Sequence, residues 1–592
     1  MSIKNDFSLK AVSDTGVVSV KSPKDAKFSE SGKKREVGLF YFIWIGADSK
    51  QDTNYDNAKI LKNLPDPATL GRKFTLDEWK EAGGEIKPGT FHFWDEPMFS
   101  YYNSGDKWVI ERHIRMFSQA GVDYIVIDFT NGVFRDYIEY LEVLFAAADK
   151  YYKQGFNVPK IALMGNDDGP NTLNIVYERF YKKHPEYAHL FYHWNNHEKP
   201  VIFDNIAGYS KHATYIINTE EKLAMYNPEL VDFFEIRDIA FPHETKVPYH
   251  NFPDVSEMFL YIDFRPEPKK VADKEGYSYI NISVAEIEGT NASSSQWYTN
   301  TTDRTRSWDG KCNRNWLPGE EDSALYGYNF ARQFDIALES GADNIFITGW
   351  NEWVAQIQPR SDGTFNLIDN ADMNNSRDIE PMKGGYGDNY YLQLCHYIAR
   401  FKGIDVAEVN AYNKSVDVAD ISAWQDEKIL AYTGFSDTVF DRDSFEAYKV
   451  SAKLVDTSGR NDLILTKACD DKENYYFYVK TTNDVAHFDK QNGMTLFLFA
   501  GEDEFAVNKS AITNGVMGIE KCTDGEWKSV GNAAFNVKAN EMAIAVPKSV
   551  LGEETDEISF RWADNFNDDP QSFYTKGSTL PYGRMNLVYK TK

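Results

Sequence analysis

NIFITGWNEW, residues 344–353, decides how this chain is read. A helical pattern over 321–340 runs through the Gly341 turn into a short apolar, β-branched run. That is the sequence form of a buried parallel strand fed by a helix. Beyond the strand stand Trp350, Asn351, Glu352 and Trp353.

The same unit recurs upstream. Strand-like runs lie at 37–45, 122–130, 160–166, 200–205, 231–238, 258–264 and 279–286, so the run at 344–353 is the eighth. Apolar residues return every three or four positions over 107–120, 134–153, 171–183, 321–340 and 386–402, which predicts helices between and after the strands. Eight continuous apolar strands alternating with helices predict an α/β fold, a (β/α)8 TIM barrel spanning residues 36–403. Residues 1–35, polar and rich in lysine, read as an N-terminal arm.

After residue 410 the period changes. From residue 425 to 592, runs such as DLILTKACD, NYYFYVKTT, MTLFLFAGE and EMAIAVPKS alternate with period two between turn clusters. Short strands at that spacing predict an all-β sandwich, with 404–424 as the linker. A chain of 592 residues is too long for one core, in keeping with two domains.

Composition narrows the function. A formal charge of −26 repels phosphate backbones and anionic membranes, so nucleic acid is not an expected partner. Aromatic residues make up 15% of the chain, with 13 Trp and 36 Tyr, and flat rings stack on the apolar faces of sugars. Large cores also hold Trp, so composition alone leaves both readings open. Cys312, Cys395, Cys469 and Cys522 show no metal-ligand or redox spacing, and no metal or cofactor is expected. No stretch reaches the length of a membrane span, and MSIKNDFSLKAVSDTG lacks the apolar run of a secretion signal. The expectation is a secreted, periplasmic or cell-surface monomer whose leader is missing from this sequence, with a cytoplasmic protein as the alternative.

In a (β/α)8 enzyme the reactive groups stand at the C-terminal ends of the strands. Here those positions read Trp44, Asp128, Asn166 with Asp167 and Asp168, Asp204, Glu235, Asp263, Glu286 with Glu288, and Trp350 to Trp353. A ring of carboxylates beside tryptophans, without clustered His or Cys, suits glycoside cleavage, which uses one carboxyl as proton donor and another as nucleophile or base. Glu352 is the sharpest candidate: its flanking indoles raise a carboxyl pKa by desolvation, and Asn351 is placed to orient it or to bind a sugar hydroxyl. The competing reading is that this segment only packs the barrel mouth.

The motif IFITGWNEW, followed by DIEP (378–381) and the Tyr-rich DNYYLQLCHYIARF, resembles the end of the barrel in glycoside hydrolase family 99 and its 71/99-like relatives. FHFWDEP (91–97) and YFIWIG (41–46) are similar to that family's earlier segments, so the resemblance covers about 37–403. It implies that Glu352 is a catalytic base acting through the sugar 2-hydroxyl. The family's general acid falls three residues later, on Ala355, which holds no proton to give, and residues 354–377 form a long insertion before DIEP.

A replacement acid is therefore expected, with Glu288, Glu286, Asp128, Asp369 and Glu380 as candidates and Glu288 preferred. Tyr41, Trp44, Trp94 and Asp95 are expected in the sugar subsites, with Asn166, Trp350, Asn351, Trp353 and Glu380 also binding substrate. His92 and His113 read as structural. The C-terminal segment resembles family 9 carbohydrate-binding modules, where Trp424, Trp527, Trp562 and Tyr574 are the residues for stacking a sugar, or else for packing. The substrate expected is an oligosaccharide or polysaccharide. A non-catalytic glycan binder of a bacterial uptake system is the alternative.

Overall fold

The computed structural model describes residues 7–11, 34–47, 56–64, 74–84, 91–166, 168–205, 223–240, 259–262, 267–286, 304–315, 323–367, 372–403, 412–436, 440–441, 455–456, 458–552, 556–567 and 569–591. The chain divides into two compact units: residues 25–402 with 445–452, and residues 1–24 with 403–444 and 453–592.

The first unit is built on eight strands: β1 (Glu36–Tyr41), β2 (Tyr124–Asp128), β3 (Lys160–Met164), β4 (Val201–Asp204), β5 (Glu235–Ala240), β6 (Phe259–Leu260), β7 (Ser278–Ser283) and β8 (Asn344–Thr348). All pair in parallel, in the order β6-β5-β4-β3-β2-β1-β8-β7. Every junction of an eight-membered ring is present except that from β6 to β7, where no ladder forms among the described residues. Across that gap Asn281 Nδ2 donates to the Tyr261 carbonyl at 2.8 Å, and the rings of Phe259 and Tyr279 stack at 5.6 Å. The sheet is curled rather than flat, because rings from distant strands meet inside it: Phe40 of β1 meets Tyr261 at 5.3 Å, and Phe259 meets Phe346 of β8 at 4.8 Å.

Those contacts identify the inner face. Alternation along a strand then sorts the remaining side chains. Tyr124 lies inside, stacked on Tyr192 at 3.9 Å and bonded through its hydroxyl to Asn344 at 3.0 Å. Gly38 faces it, and a Cβ on Gly38 would fall 2.1 Å from Tyr124 Cζ, so only glycine leaves room for the ring.

Helices α1 (Lys107–Ala120), α2 (Tyr137–Lys153), α3 (Gly169–Val176), α4 (Tyr328–Ser340) and α5 (Asn389–Lys402) follow the predicted periodicity. Asp106 caps α1 by accepting from the Trp108 and Val109 amides. Some predicted boundaries move. Residues 228–233 form a short helix started by Pro228, so the strand predicted from 231 begins at Glu235. The predicted helix over 171–183 continues beyond α3 as a π turn, Tyr177–Tyr181.

The second unit is an antiparallel sheet. Its long strand Glu526–Lys538 pairs with Met517–Thr523 through its first half and with Glu541–Pro547 through its second, joining two groups of strands. Residues from both groups, among them Phe477, Leu496, Ile544 and Phe560, share one apolar cluster. In the flanking segments Ser8–Ala11 pairs antiparallel with Met585–Lys590 and Phe7 is buried in the cluster, while Val416, Ile421 and Trp424 pack against Tyr476 and Tyr478. Trp424, Trp562 and Tyr574 are buried and serve packing here, whereas Trp527 is half-buried.

Candidate active site

Residues 350–353 leave β8 at its C-terminal end and run straight into the strand Val354–Pro359, which pairs antiparallel with Phe91–Phe93. Trp94 N donates to Trp353 O at 3.3 Å, and the two indoles stack at 4.3 Å. Ala355 lies opposite His92 in this ladder. Gly349, at φ +102°, is where the chain turns; a Cβ there would sit 2.3 Å from the Arg377 carbonyl, so glycine lets the 377–380 segment lie against the motif.

That segment contacts each residue around Glu352. Glu380 N donates to Trp350 O at 3.0 Å, and Asp378 Oδ1 accepts the Glu352 amide. Asp378 Oδ2 accepts Trp94 Nε1 at 3.0 Å. Glu380 Oε2 accepts Trp353 Nε1 at 2.5 Å and the Tyr102 hydroxyl at 2.7 Å, while Oε1 lies 2.9 Å from His113 Nε2. His113 Nδ1 in turn lies 2.9 Å from the Tyr41 hydroxyl. All of these side chains are buried; Glu352 alone in the motif is half-buried.

The residues expected to bind substrate differ in where they lie. Tyr41 alternates to the outer face of β1, against His113 of α1. Trp350 packs outward on Phe117 and Tyr391, at 4.7 and 6.4 Å. Asn351 directs its amide to the Phe42 backbone and Tyr102. Trp94, Trp353 and Glu380 are fully buried and hydrogen-bonded within the protein, so they brace the site rather than line it. Both oxygens of Glu380 are engaged, which also removes it from the proton-donor candidates. Trp44 is nearly buried and stacks on Phe42 at 5.6 Å.

Other candidates fare differently. Asp128 ends β2 and shares the inner face with Tyr124, four residues earlier. Its carboxyl is buried, accepts the Thr130 amide at 2.9 Å, and is pushed up to about 6 by desolvation. Asn166, beyond β3, accepts from Asn205 Nδ2 at 3.3 Å, beyond β4. Asp204 accepts the Tyr226 hydroxyl. Asp95 follows the stacked Trp94 and is half-buried; burial first, then the Asp56 charge, raises it to about 6. Glu286 is buried in ion pairs with Arg332 at 3.2 Å and Arg304 at 3.9 Å. Glu288, Asp263 and Asp369 lie outside the described residues.

Sequence reasoning missed Asp378, Tyr102 and Asn205. Asp378 stands 26 residues from Glu352, and no local periodicity marks so distant a partner. Burial pushes its carboxyl up to about 7, with the Glu352 amide and Arg306 opposing that shift.

No protein-family model matches the chain, and no curated protein matches it. Among solved structures it is similar to a glycoside hydrolase family 99 endo-alpha-mannosidase from Bacteroides thetaiotaomicron in complex with Bis-Tris propane, at 15% identity over 62% of this chain and 98% of that one, with a TM-score of 0.34. A second structure of that enzyme shows 17% identity over the same shares, with a TM-score of 0.33. A glycoside hydrolase-like protein shows 13% identity over 64% of this chain and 99% of that one, with a TM-score of 0.29.

Proposed function

We propose that this chain is a glycoside hydrolase acting on a polysaccharide or glycan chain, with Glu352 as the base and Asp128 as the proton donor. The observation that carries this reading is the contrast of exposure within the motif: Asn351 and Trp353 are fully buried on both sides of a Glu352 that is half-buried. A carboxyl held on such rigid shoulders suits chemistry at the end of a strand.

Asp128 supports the second role. It lies on β2, two strands from β8 by way of β1, at the level of Phe42 and Trp350 when the two registers are continued. Two strand spacings amount to about 9–10 Å, which side chains converging on the inner face shorten. With its pKa near 6, Asp128 holds a proton in mildly acidic solution and gives it to the leaving glycosidic oxygen as the bond to the anomeric carbon breaks. Glu352 takes the proton of the sugar 2-hydroxyl as that oxygen bonds the anomeric carbon; water then attacks the same carbon, giving its proton to Asp128 while Glu352 returns its own to the 2-oxygen. Asp95 and Asn166 bind sugar hydroxyls at the rim, and residues 425–592 act as an accessory domain. A polymeric substrate goes with action outside the cytoplasm. Among the described residues no helix is long and apolar enough to cross a membrane.

The second reading, a glycan binder without turnover, is favoured by Ala355 at the position where the resemblance expects a proton donor. Reducing-end release from starch, xylan, laminarin, pectin and yeast mannan, run beside affinity electrophoresis in the same polysaccharides, separates the two. New reducing ends that vanish in Asp128→Asn and Glu352→Gln support the hydrolase; retardation with no new ends for the wild type leaves the binder.

A further inference from the structure

The strand Val354–Pro359 pairs with Phe91–Phe93 so that Val354 lies opposite Phe93 and Ala355 opposite His92. The pairing runs one step further, since Trp94 N donates to Trp353 O at 3.3 Å and the two indoles stack at 4.3 Å on one side of the ribbon. The next pair in that register is Asp95 with Glu352. Alternation puts both on the other side, that of Phe93. Phe93 packs on the Tyr101 ring at 4.5 Å, and the Asp95 charge acts on the Tyr101 hydroxyl, in agreement with that side. Glu352 N is turned out of the ladder to Asp378 Oδ1, as befits a pair that exchanges no backbone bonds and whose side chains stand closest. Asp95 and Glu352 are both half-buried, whereas Trp94 and Trp353 are fully buried.

We propose that Asp95 is a specificity-determining residue of the Glu352 site: the sugar ring that meets Glu352 also meets the Asp95 carboxylate, which admits neutral sugars and rejects those bearing an anionic substituent. This rests on the hydrolase reading above. Directly opposed residues of an antiparallel pair hold their Cβ atoms about 4.5–5.5 Å apart, so a ring within reach of one carboxyl is within reach of the other. The hydroxyls of a neutral ring donate to both. An anionic substituent faces two like charges, and discrimination comes from that repulsion.

The charges packed around Asp95 leave its own in force. Asp56, the N-cap of the helix Asn57–Leu61, is buried and holds Lys59 Nζ at 3.0 Å and the Tyr101 hydroxyl at 3.0 Å. Glu96 pairs with Lys383 at 3.2 Å, and its amide donates to Asp95 Oδ1 at 3.2 Å. Burial and the Asp56 charge outweigh that amide, Lys62 and Lys59, so the Asp95 carboxyl is pushed up to about 6. Asp95 is therefore ionised at about pH 7.5 and mostly protonated at about pH 5, whereas a carboxylate on a sugar stays ionised at both. The rejection of acidic sugars grows across that range.

The test uses the neutral polysaccharide that the wild type cleaves fastest, in hydroxyethyl and carboxymethyl forms substituted to the same degree, which match in bulk and differ in charge. Low ionic strength keeps screening small. The ratio of kcat/KM, hydroxyethyl over carboxymethyl, is read at about pH 5 and about pH 7.5, with retardation of each protein in gels of each polymer as a readout independent of turnover. The wild-type ratio is expected to rise roughly 3- to 10-fold between the two pH values, and Asp95→Asn to lower it roughly 5- to 20-fold at the higher one and to abolish the rise. Asp95→Lys, which reverses the charge, lowers it further. Glu186→Gln, which removes an exposed charge on the turn Pro185–Leu190, keeps the wild-type ratio and controls for net charge. An Asp95→Asn ratio equal to that of wild type at both pH values, with Glu352→Gln inactive, overturns the role of Asp95 alone, as does cleavage confined to pectin. A wild type that releases no reducing ends overturns the hydrolase reading; retardation by the two polymers then decides on Asp95, upholding its selection if only Asp95→Asn loses the preference for the hydroxyethyl form and overturning it otherwise.

Discussion

Asn351 binds the backbone of Phe42 as another strand would: its Oδ1 accepts Phe42 N at 2.9 Å and its Nδ2 donates to Phe42 O at 3.0 Å. The ladder between β1 and β8 has ended by this level, and one side chain continues it. Replacing Asn351 by Ala leaves both backbone groups buried without partners, which costs about 2–4 kcal/mol. Urea titration followed by tryptophan fluorescence measures that loss; a change under about 0.5 kcal/mol would show the pairing to be dispensable.

Gly38 tests the inner packing. Tyr124 is fixed by its stack on Tyr192 and its bond to Asn344, so it has nowhere to go when a methyl arrives 2.1 Å from Cζ. Gly38→Ala is expected to destabilise by about 1–3 kcal/mol through overpacking. An unchanged melting temperature contradicts this placement of the ring.

Much of this was legible beforehand. The helix over 107–120 is found with the predicted ends, because its apolar spacing and its Asp106 cap act locally. All eight strand runs contain strands, and among the described residues of the run at 258–264 the strand is Phe259–Leu260. What the sequence conceals is facing. Tyr41 and Trp350 sit at strand ends as a binding residue would, yet pleat parity and the Gly349 turn send them to the helix side. Glu380 looked like a free acid until Tyr102, Trp353 and His113 filled its oxygens, and none of those partners is near it in the chain except through folding.

Asp128 gives a pH signature. Its folded pKa of about 6 stands above the unfolded value of 3.8, so the folded state holds the proton more tightly. The stability this confers is present below about pH 4 and is lost as pH rises through 6. Asp128→Asn lacks that loss. Relative to wild type, the variant is expected to gain on the order of 3 kcal/mol between pH 4 and pH 7.5, read from urea midpoints at each pH. Parallel curves for the two proteins would mean that Asp128 is not desolvated.

In the second unit Arg460 pairs with the buried Asp564 at 3.0 and 3.2 Å, and Asp564 also accepts Asn461 Nδ2 and the Met494 amide. Removing the cation leaves a buried carboxylate without its counter-charge. Arg460→Ala is expected to cost about 3–5 kcal/mol, and Arg460→Ala with Asp564→Asn less than Arg460→Ala alone. Scanning calorimetry on the three proteins checks the order; a double variant less stable than the single refutes it.

The most direct test of the account is reducing-end release by the wild type and by Glu352→Gln on the same polysaccharide panel, with affinity electrophoresis alongside. Turnover is expected for the wild type, with a loss of at least about 1,000-fold in the variant and unchanged retardation. A variant that cleaves as fast as the wild type would contradict it.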